Sequence, residues 1–156
     1  MKSLKLLKRS KILILYRYFL LDENDKEFNI FLELYLNSGE NENKNSKDLE
    51  WFNDFKIEKN KIFNIINSNL KEGWKIERIP ILEKAILSNA AYEINSFKEE
   101  KKINFFSIIE QSVSFSKKYL ESDKHKYINK VLDEISKEKM KELKISNSKD
   151  EKPSSI

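Results

Sequence analysis

The chain has 156 residues, of which 39% are hydrophobic and 36% are charged, and its formal net charge is +4. This length can bury one core, and the composition is typical of a globular protein with a heavily charged surface. Only 2 glycines and 2 prolines are present, which disfavours a fold with many tight turns. The absence of cysteine excludes disulfides, thiolate metal sites and thiol catalysis.

The basic character of the chain is concentrated at its N-terminus. The first 21 residues hold six basic side chains and no acidic one, so the rest of the chain is net negative. Lys5 and Lys8, together with Arg9 or Lys11, have the spacing that places side chains on one side of a helix. Such a stripe is either a solvated helix face or a surface for an anionic partner, such as nucleic acid or a membrane surface.

The same segment also has features of a signal peptide, because the basic "MKSLKLLKRSK" precedes the apolar "ILILYRYFLL". Arg17 interrupts the apolar run, however, and "DENDKE" follows where small cleavage-site residues would be needed. No apolar run is long enough to span a bilayer. We therefore expect a cytoplasmic protein without a membrane partner.

Helical periodicity runs along the first half of the chain. It predicts a helix from about Leu4 to Leu21 and a second from about Lys26 to Leu36. The polar stretch "NSGENENKNSKD" is predicted as a loop. Ser46 or Asp48 would then cap a third helix that ends near Phe55. A fourth helix is predicted from about residue 58 to residue 71.

The second half is also predicted to be helical, after the connector "EGWKIERIP". Pro80 suits the start of a helix that buries the ridge of Leu82, Ile86, Ala90 and Ile94. After the turn "KEEKK", the next helix carries two apolar stripes, expected of a helix in the centre of a bundle. The stripes are Phe106, Ile109, Val113, Leu120 and Phe105, Ile108, Phe115, Tyr119. A last helix is predicted to start near Asp123 and pass Ile135. Residues 145–156 are expected to be a polar, disordered tail, which leaves one domain over residues 1–144.

The stretch "DKHKY" contains the one histidine of the chain. Asp123 and His125 lie two positions apart, so on a helix they cannot face one substrate, and no second histidine is present to share a metal. No motif for a catalytic serine or a phosphate-binding glycine loop is present either, and we expect no enzyme, metal or cofactor. His125 is then either an ordinary surface residue or part of an RNA-docking surface. For RNA, Lys126 would contact phosphate and an exposed Tyr127 would stack on a base.

Three segments resemble the NusB family of bacterial transcription antitermination factors. "GWKIERIPILEKAILSNAAYEI" is similar to the family's connector and its following "ERAILRLAAYEL"-type helix. "IIEQSVSFSKKYLESDKHKYINKVLDEI" is similar to the family pattern "INEAVELAKKYGSEDSHKFVNGVLDKI", and "KILILYRYFL" more loosely to "RELALQALYQ". The resemblance implies an all-α, single-domain bundle of about seven helices in two small subdomains.

The resemblance also implies a function and a set of contact residues. Family members bind the boxA element of nascent ribosomal RNA together with NusE, a ribosomal protein, and act in RNA polymerase antitermination complexes with NusA and NusG. By position, the implied RNA-binding residues are Lys5, Lys8, Arg9, Tyr16, Asp123, Lys126 and Tyr127. The implied protein-partner residues are Glu77 and Glu83. Both monomers and homodimers are compatible with the resemblance.

Departures from the family pattern leave a second interpretation open. The family's arginine-rich arm is reduced here to lysines and few arginines, and lysine lacks the bidentate fork of arginine. Ser88, Ile109, Gln111 and Lys130 also replace the family's usual residues. The alternative is a helical protein-interaction module that binds NusE without significant RNA binding. An enzyme fragment related to ribosomal RNA methyltransferases is disfavoured, since the chain has no room for a catalytic domain.

Overall fold

The computed structural model describes residues 9–37, 42–98 and 102–151, with side-chain detail over 9–35, 47–98 and 105–144. Every regular element in these ranges is helical, as the sequence predicts. The six α-helices are α1 (Arg9–Leu20), α2 (Asp25–Asn37), α3 (Glu42–Asn69), α4 (Ile81–Asn95), α5 (Lys102–Tyr119) and α6 (Lys124–Glu151). A short 3-10 turn, Ile76–Arg78, lies between α3 and α4. The described helices number slightly fewer than the roughly seven that the resemblance implies.

A tight turn joins α1 to α2 and anchors both helices. Asp22 and Glu23 adopt left-handed backbone angles, with φ of 59° and 57°. Asn24 then caps α2, because its Oδ1 accepts the backbone N–H of Glu27 at 3.0 Å. Glu23 forms ion pairs with Lys59 of α3 and Lys84 of α4. The turn is thereby tied to two helices that are distant in sequence.

The third and fourth helices that the sequence predicts are a single helix in the structure. α3 runs unbroken for 28 residues, and it begins within the stretch predicted as a loop. Asp48 is not a cap: it is buried inside α3, and its Oδ2 accepts a hydrogen bond from the Tyr35 hydroxyl at 3.1 Å. This bond between α2 and α3 gives the buried carboxylate a hydrogen-bond partner, whereas the local sequence predicts Asp48 at the start of a helix.

α4 is the central helix of the bundle, because it packs against α1, α3, α5 and α6. Of the predicted ridge, Ile86, Ala90 and Ile94 are completely buried and Leu82 is half-buried, and burial extends around most of the helix. A helix with little amphipathic character is expected in such a position. Among the polar residues buried with the ridge are Glu83 and Glu93, and Glu93 accepts hydrogen bonds from Lys11 and from the indole of Trp51, both at 3.0 Å.

The two stripes predicted on α5 have different environments. Phe105 and Ile108 are buried, as expected. Phe106 is 65% exposed and lines an open groove of about 370 Å³ between α5 and α6, and Tyr119 of the other stripe is 40% exposed, so the prediction of a buried position is wrong for these two residues. Ile109, Val113 and Leu120 are half-buried. α6 begins at Lys124, beside the predicted start, and continues to Glu151 into the segment predicted as a polar tail. Residues 152–156 lie outside the described part of the chain.

None of the helices in the described ranges has the length and apolar character needed to cross a membrane.

Candidate functional site

The start of α1 lies next to the end of α5. The guanidinium carbon of Arg9 is 5.4 Å from the ring centroid of Tyr119, a cation–π contact. Tyr119 is the last residue of α5 and precedes the turn into α6. The basic start of α1 therefore lies close to the turn that precedes the "DKHKY" stretch. Lys5 and Lys8 are outside the described residues.

The first turn of α6 presents charged side chains to solvent. The side chain of Lys126 is 73% exposed and that of Asp123 is 83% exposed, and they form a loose ion pair of 3.7 Å. An ion pair this exposed contributes little to stability, which leaves Lys126 available to another anion. The Nδ1 atom of His125 lies 3.1 Å from the carbonyl oxygen of Ser122. One of the two ring nitrogens of His125 therefore already has a hydrogen-bond partner at the start of α6.

The ring of Tyr127 is not exposed, in contrast to the prediction from the sequence. The ring is half-buried and packs against Trp74, with 5.3 Å between ring centroids. Its hydroxyl is buried and has no hydrogen-bond partner among the described residues. Burial, and secondarily the negative charge of Glu83, raise the pKa of Tyr127 from 10.0 to about 12. The prediction of an exposed ring is wrong, and a part for Tyr127 in RNA binding stays a prediction.

Glu83 is buried on the first turn of α4, with 3% of the residue exposed. Its Oε1 lies 3.2 Å from the Nζ of Lys124. The resemblance implies a partner-facing position for Glu83, but its carboxylate is largely enclosed and already paired with Lys124. Reversing its charge would place a buried cation beside Lys124 and destabilise the fold. Any loss of partner binding in such a variant must therefore be separated from this loss of stability. Its assignment as a partner residue stays a prediction.

The connector between α3 and α4 forms one wall of a cleft next to Glu83. The cleft has a volume of about 250 Å³, and its lining includes Trp74, Lys75, Arg78 and Lys124. Glu77 lies in the same connector and is exposed. Of the two acidic residues carried over from the family, Glu77 is therefore the more accessible to a macromolecule.

Other site residues are more dispersed. Tyr16 lies on α1 and is half-buried against the core, away from the first turn of that helix. Trp74 and Phe106, which the sequence analysis did not assign to the site, are 46% and 65% exposed. A tryptophan beside three basic residues in the connector, in "KEGWKIER", is the signal that could have identified Trp74.

The fold and this surface define an all-helical protein whose candidate site consists of charged and aromatic side chains near the start of α1, the start of α6 and the connector between α3 and α4. In the described ranges, no group of three or more histidine, cysteine or acidic residues could hold a metal ion. The chain belongs to the NusB family: the family model matches residues 8–137.

Curated relatives agree with this assignment. A transcription antitermination protein NusB from Pediococcus pentosaceus is 33% identical over 72 residues, which are 46% of this chain and 51% of that protein. The protein of the same name from Helicobacter pylori is 35% identical over 89 residues, which are 57% of this chain and 61% of that protein. The chain thus spans between about half and three-fifths of the length of these relatives. No solved structure matches it significantly.

Proposed function

We propose that this protein is a transcription antitermination factor. It binds boxA-type single-stranded RNA of nascent ribosomal RNA together with NusE, and it does so as part of an RNA polymerase antitermination complex with NusA and NusG. The names of its curated relatives support the general role. The RNA and the protein partners come from the resemblance of the site segments.

The observation that carries the proposal is the contact of Arg9 with Tyr119. It brings the basic start of α1 next to the turn before α6, where Lys126 is exposed. Two sequence segments that the resemblance assigns to RNA are distant along the chain but neighbours in the fold. Cations from both segments can follow one phosphate backbone, and this electrostatic term supplies much of the affinity for nucleic acid.

NusE would bind close to the RNA rather than on the opposite side of the bundle. Glu77 is exposed in the connector, and the connector packs against α6 through Trp74 and Tyr127. An acidic residue at this place suits a cationic partner such as a ribosomal protein. RNA and NusE would therefore occupy adjoining surfaces, which permits each to strengthen the binding of the other.

A titration of labelled boxA-type RNA tests the proposal. It is carried out with this protein alone, with NusE alone and with both, and a scrambled RNA of equal length serves as the control. We expect tighter binding of the boxA-type RNA by the mixture than by either protein. Equal affinity for both RNAs in every mixture would contradict the proposal.

The half-buried ring of Tyr127 favours one other function, the module that binds NusE without RNA. Its predicted stacking surface is covered by Trp74, which removes one expected RNA contact. The same titration separates the two functions, with calorimetry of NusE binding added. A module of this kind would bind NusE in calorimetry and leave the fluorescence anisotropy of both RNAs unchanged.

A further inference from the structure

We propose that the cleft beside Trp74 is a subsite for one nucleotide of single-stranded RNA, with the base stacked on the indole and the flanking phosphates held by Lys75 and Arg78. This inference rests on the proposed function and adds to it a base-binding position that the resemblance does not assign. The stacking ring is then Trp74 rather than Tyr127.

The indole of Trp74 is both exposed and supported. It is 46% exposed, while one part of the ring packs on the half-buried Tyr127 at 5.3 Å between centroids. A ring held by a partner in this way needs little ordering when a base binds, so less conformational entropy is lost. Base stacking on such aromatic platforms is tolerant of base identity.

Backbone geometry fixes the position of Trp74. Gly73 has a φ of 87°, in the left-handed region where residues with a side chain are strained. Two residues after Trp74, the backbone N–H of Ile76 donates to Oδ1 of Asn67 at 2.8 Å, and Ile76 is completely buried. The connector is therefore anchored on both sides of the indole, which presents the ring at a defined place.

The charge of the cleft suits phosphate. Its lining contains three cations, Lys75, Arg78 and Lys124, and one carboxylate, Glu83. Glu83 is already neutralised by Lys124 at 3.2 Å, while Lys75 and Arg78 form no ion pair with any described carboxylate. A further cation, Lys71, has its Nζ 5.9 Å from the indole centroid. Free cations beside an exposed aromatic ring are the combination that single-stranded nucleic acid uses.

A second cleft, which is also lined by Trp74 and Lys124, has a different charge. Its volume is about 300 Å³, and its lining includes Glu121 and Asp123 together with Lys124. These carboxylates would repel phosphate. At Trp74, the flanking phosphates are therefore expected in the cleft lined by Lys75 and Arg78 rather than in this second cleft.

The fluorescence of Trp74 can be used to test the proposal. The chain has 2 tryptophans, and the other, Trp51, is half-buried and hydrogen-bonded to Glu93. The protein is titrated with oligoadenylate and with an abasic oligomer of equal length, and tryptophan emission is recorded beside the anisotropy of the labelled oligomer. We expect oligoadenylate to quench the emission and the abasic oligomer to bind without quenching. In Trp74→Phe, the quenching should be lost.

Substitutions in the cleft test the contacts. Trp74→Ala should weaken oligoadenylate binding roughly 5- to 140-fold, as loss of one stacked base implies. Trp74→Phe, which keeps a ring over Tyr127, should recover part of that loss. Arg78→Gln should weaken both oligomers. Lys141→Gln is the matched control, because Lys141 is exposed and lies about 21 Å along α6 from Tyr127, and it should bind as the parent does.

The outcomes separate this inference from the proposed function. If no RNA binds the parent protein, both fail. If RNA binds but emission does not change and Trp74→Ala binds normally, the subsite alone is wrong. A change in Trp74 emission with NusE and none with RNA would assign the cleft to the protein partner instead, and would also overturn the subsite.

Discussion

The hydroxyl of Tyr127, a residue of the candidate site, also affects the stability of the fold. Its hydroxyl is buried without a partner among the described groups, near the carboxylate of Glu83. A buried hydroxyl that lacks a hydrogen bond loses its solvation without compensation. The ring therefore contributes through its packing on Trp74, while the hydroxyl is a cost to the folded state.

Replacing Tyr127 by phenylalanine should change the alkaline stability of the protein. The pKa of Tyr127 is about 12 in the folded state against 10.0 ordinarily. The unfolded chain thus loses this proton first as the pH rises. Compared with the ionised phenol, the neutral phenol stabilises the folded state. This contribution is complete below pH 10.0 and is lost as the pH approaches about 12. Tyr127→Phe should remove this loss, roughly 1–2 kcal/mol after allowance for solvent at the half-exposed ring.

The measurement is a series of urea denaturations of both proteins from neutral pH to about pH 11.5. At neutral pH the variant should be as stable as the parent, or more stable by about 1 kcal/mol, because it has no unsatisfied hydroxyl. Burial also raises the pKa of Tyr18, Tyr35 and Tyr92, so the parent and the variant will both lose stability. Only the difference between them belongs to Tyr127, and parallel curves would contradict this account.

Among the site residues, the sequence predicts position along the chain better than exposure. Lys126 is exposed, as its place in the first turn of α6 suggests. Tyr127 and Glu83 are enclosed by Trp74 and Lys124, which come from other segments. Burial of this kind depends on tertiary packing, and helical periodicity does not contain that information.

At the scale of elements, α3 is where local pattern and structure differ most. The stretch "ENKNSKD" has no apolar period, so it is predicted as a loop, yet it belongs to the helix. The bond from Tyr35 to Asp48 and the burial of Phe52 and Phe55 are tertiary features that support this part of the helix. Packing of one face accounts for most helical stability in proteins, and it can extend a helix through residues of weak propensity. The other five helices have apolar residues at helical spacing and are predicted from sequence, although the burial of α4 extends well beyond its predicted ridge.

A proline in the middle of α3 tests whether the helix is continuous. Ile57 is 82% exposed and lies between the segments predicted as two helices. Ile57→Pro removes a backbone donor and clashes with the preceding turn, so it should reduce the free energy of unfolding by about 3 kcal/mol or more. Ile57→Ala is the control and should change it by less than about 0.5 kcal/mol, since little apolar surface is buried there.

Chemical denaturation followed by circular dichroism provides both values. A junction between two helices would tolerate proline at this position, because neither helix would need the lost hydrogen bond. Equal midpoints for the two variants would therefore mean that α3 is interrupted near Ile57.

At the scale of the whole molecule, the net charge of +4 understates the basic surface where the start of α1 meets the end of α5. The first 21 residues carry no acidic side chain, and their described start, Arg9, is next to the turn that leads to Lys126. α4 holds this arrangement together, because it packs against both α1 and α6. Sequence periodicity identifies the helices, while the proximity of the α1 start to the turn before α6 follows from how the helices pack around α4.

This charge distribution predicts how salt will affect RNA binding. Each phosphate contact to a single strand releases counterions, so the logarithm of affinity falls with the logarithm of salt concentration by a slope of about 0.7 per contact. Lys126→Ala and Arg9→Gln should each flatten the slope by about that amount and weaken boxA-type and scrambled RNA alike. Lys141→Gln should leave the slope unchanged, because Lys141 is exposed and lies about 22 Å along α6 from Lys126. Affinities measured between about 50 and 200 mM salt, after circular dichroism has confirmed folding, provide the slopes. If Lys126→Ala and Arg9→Gln both keep the slope of the parent, RNA does not follow the path from α1 to α6.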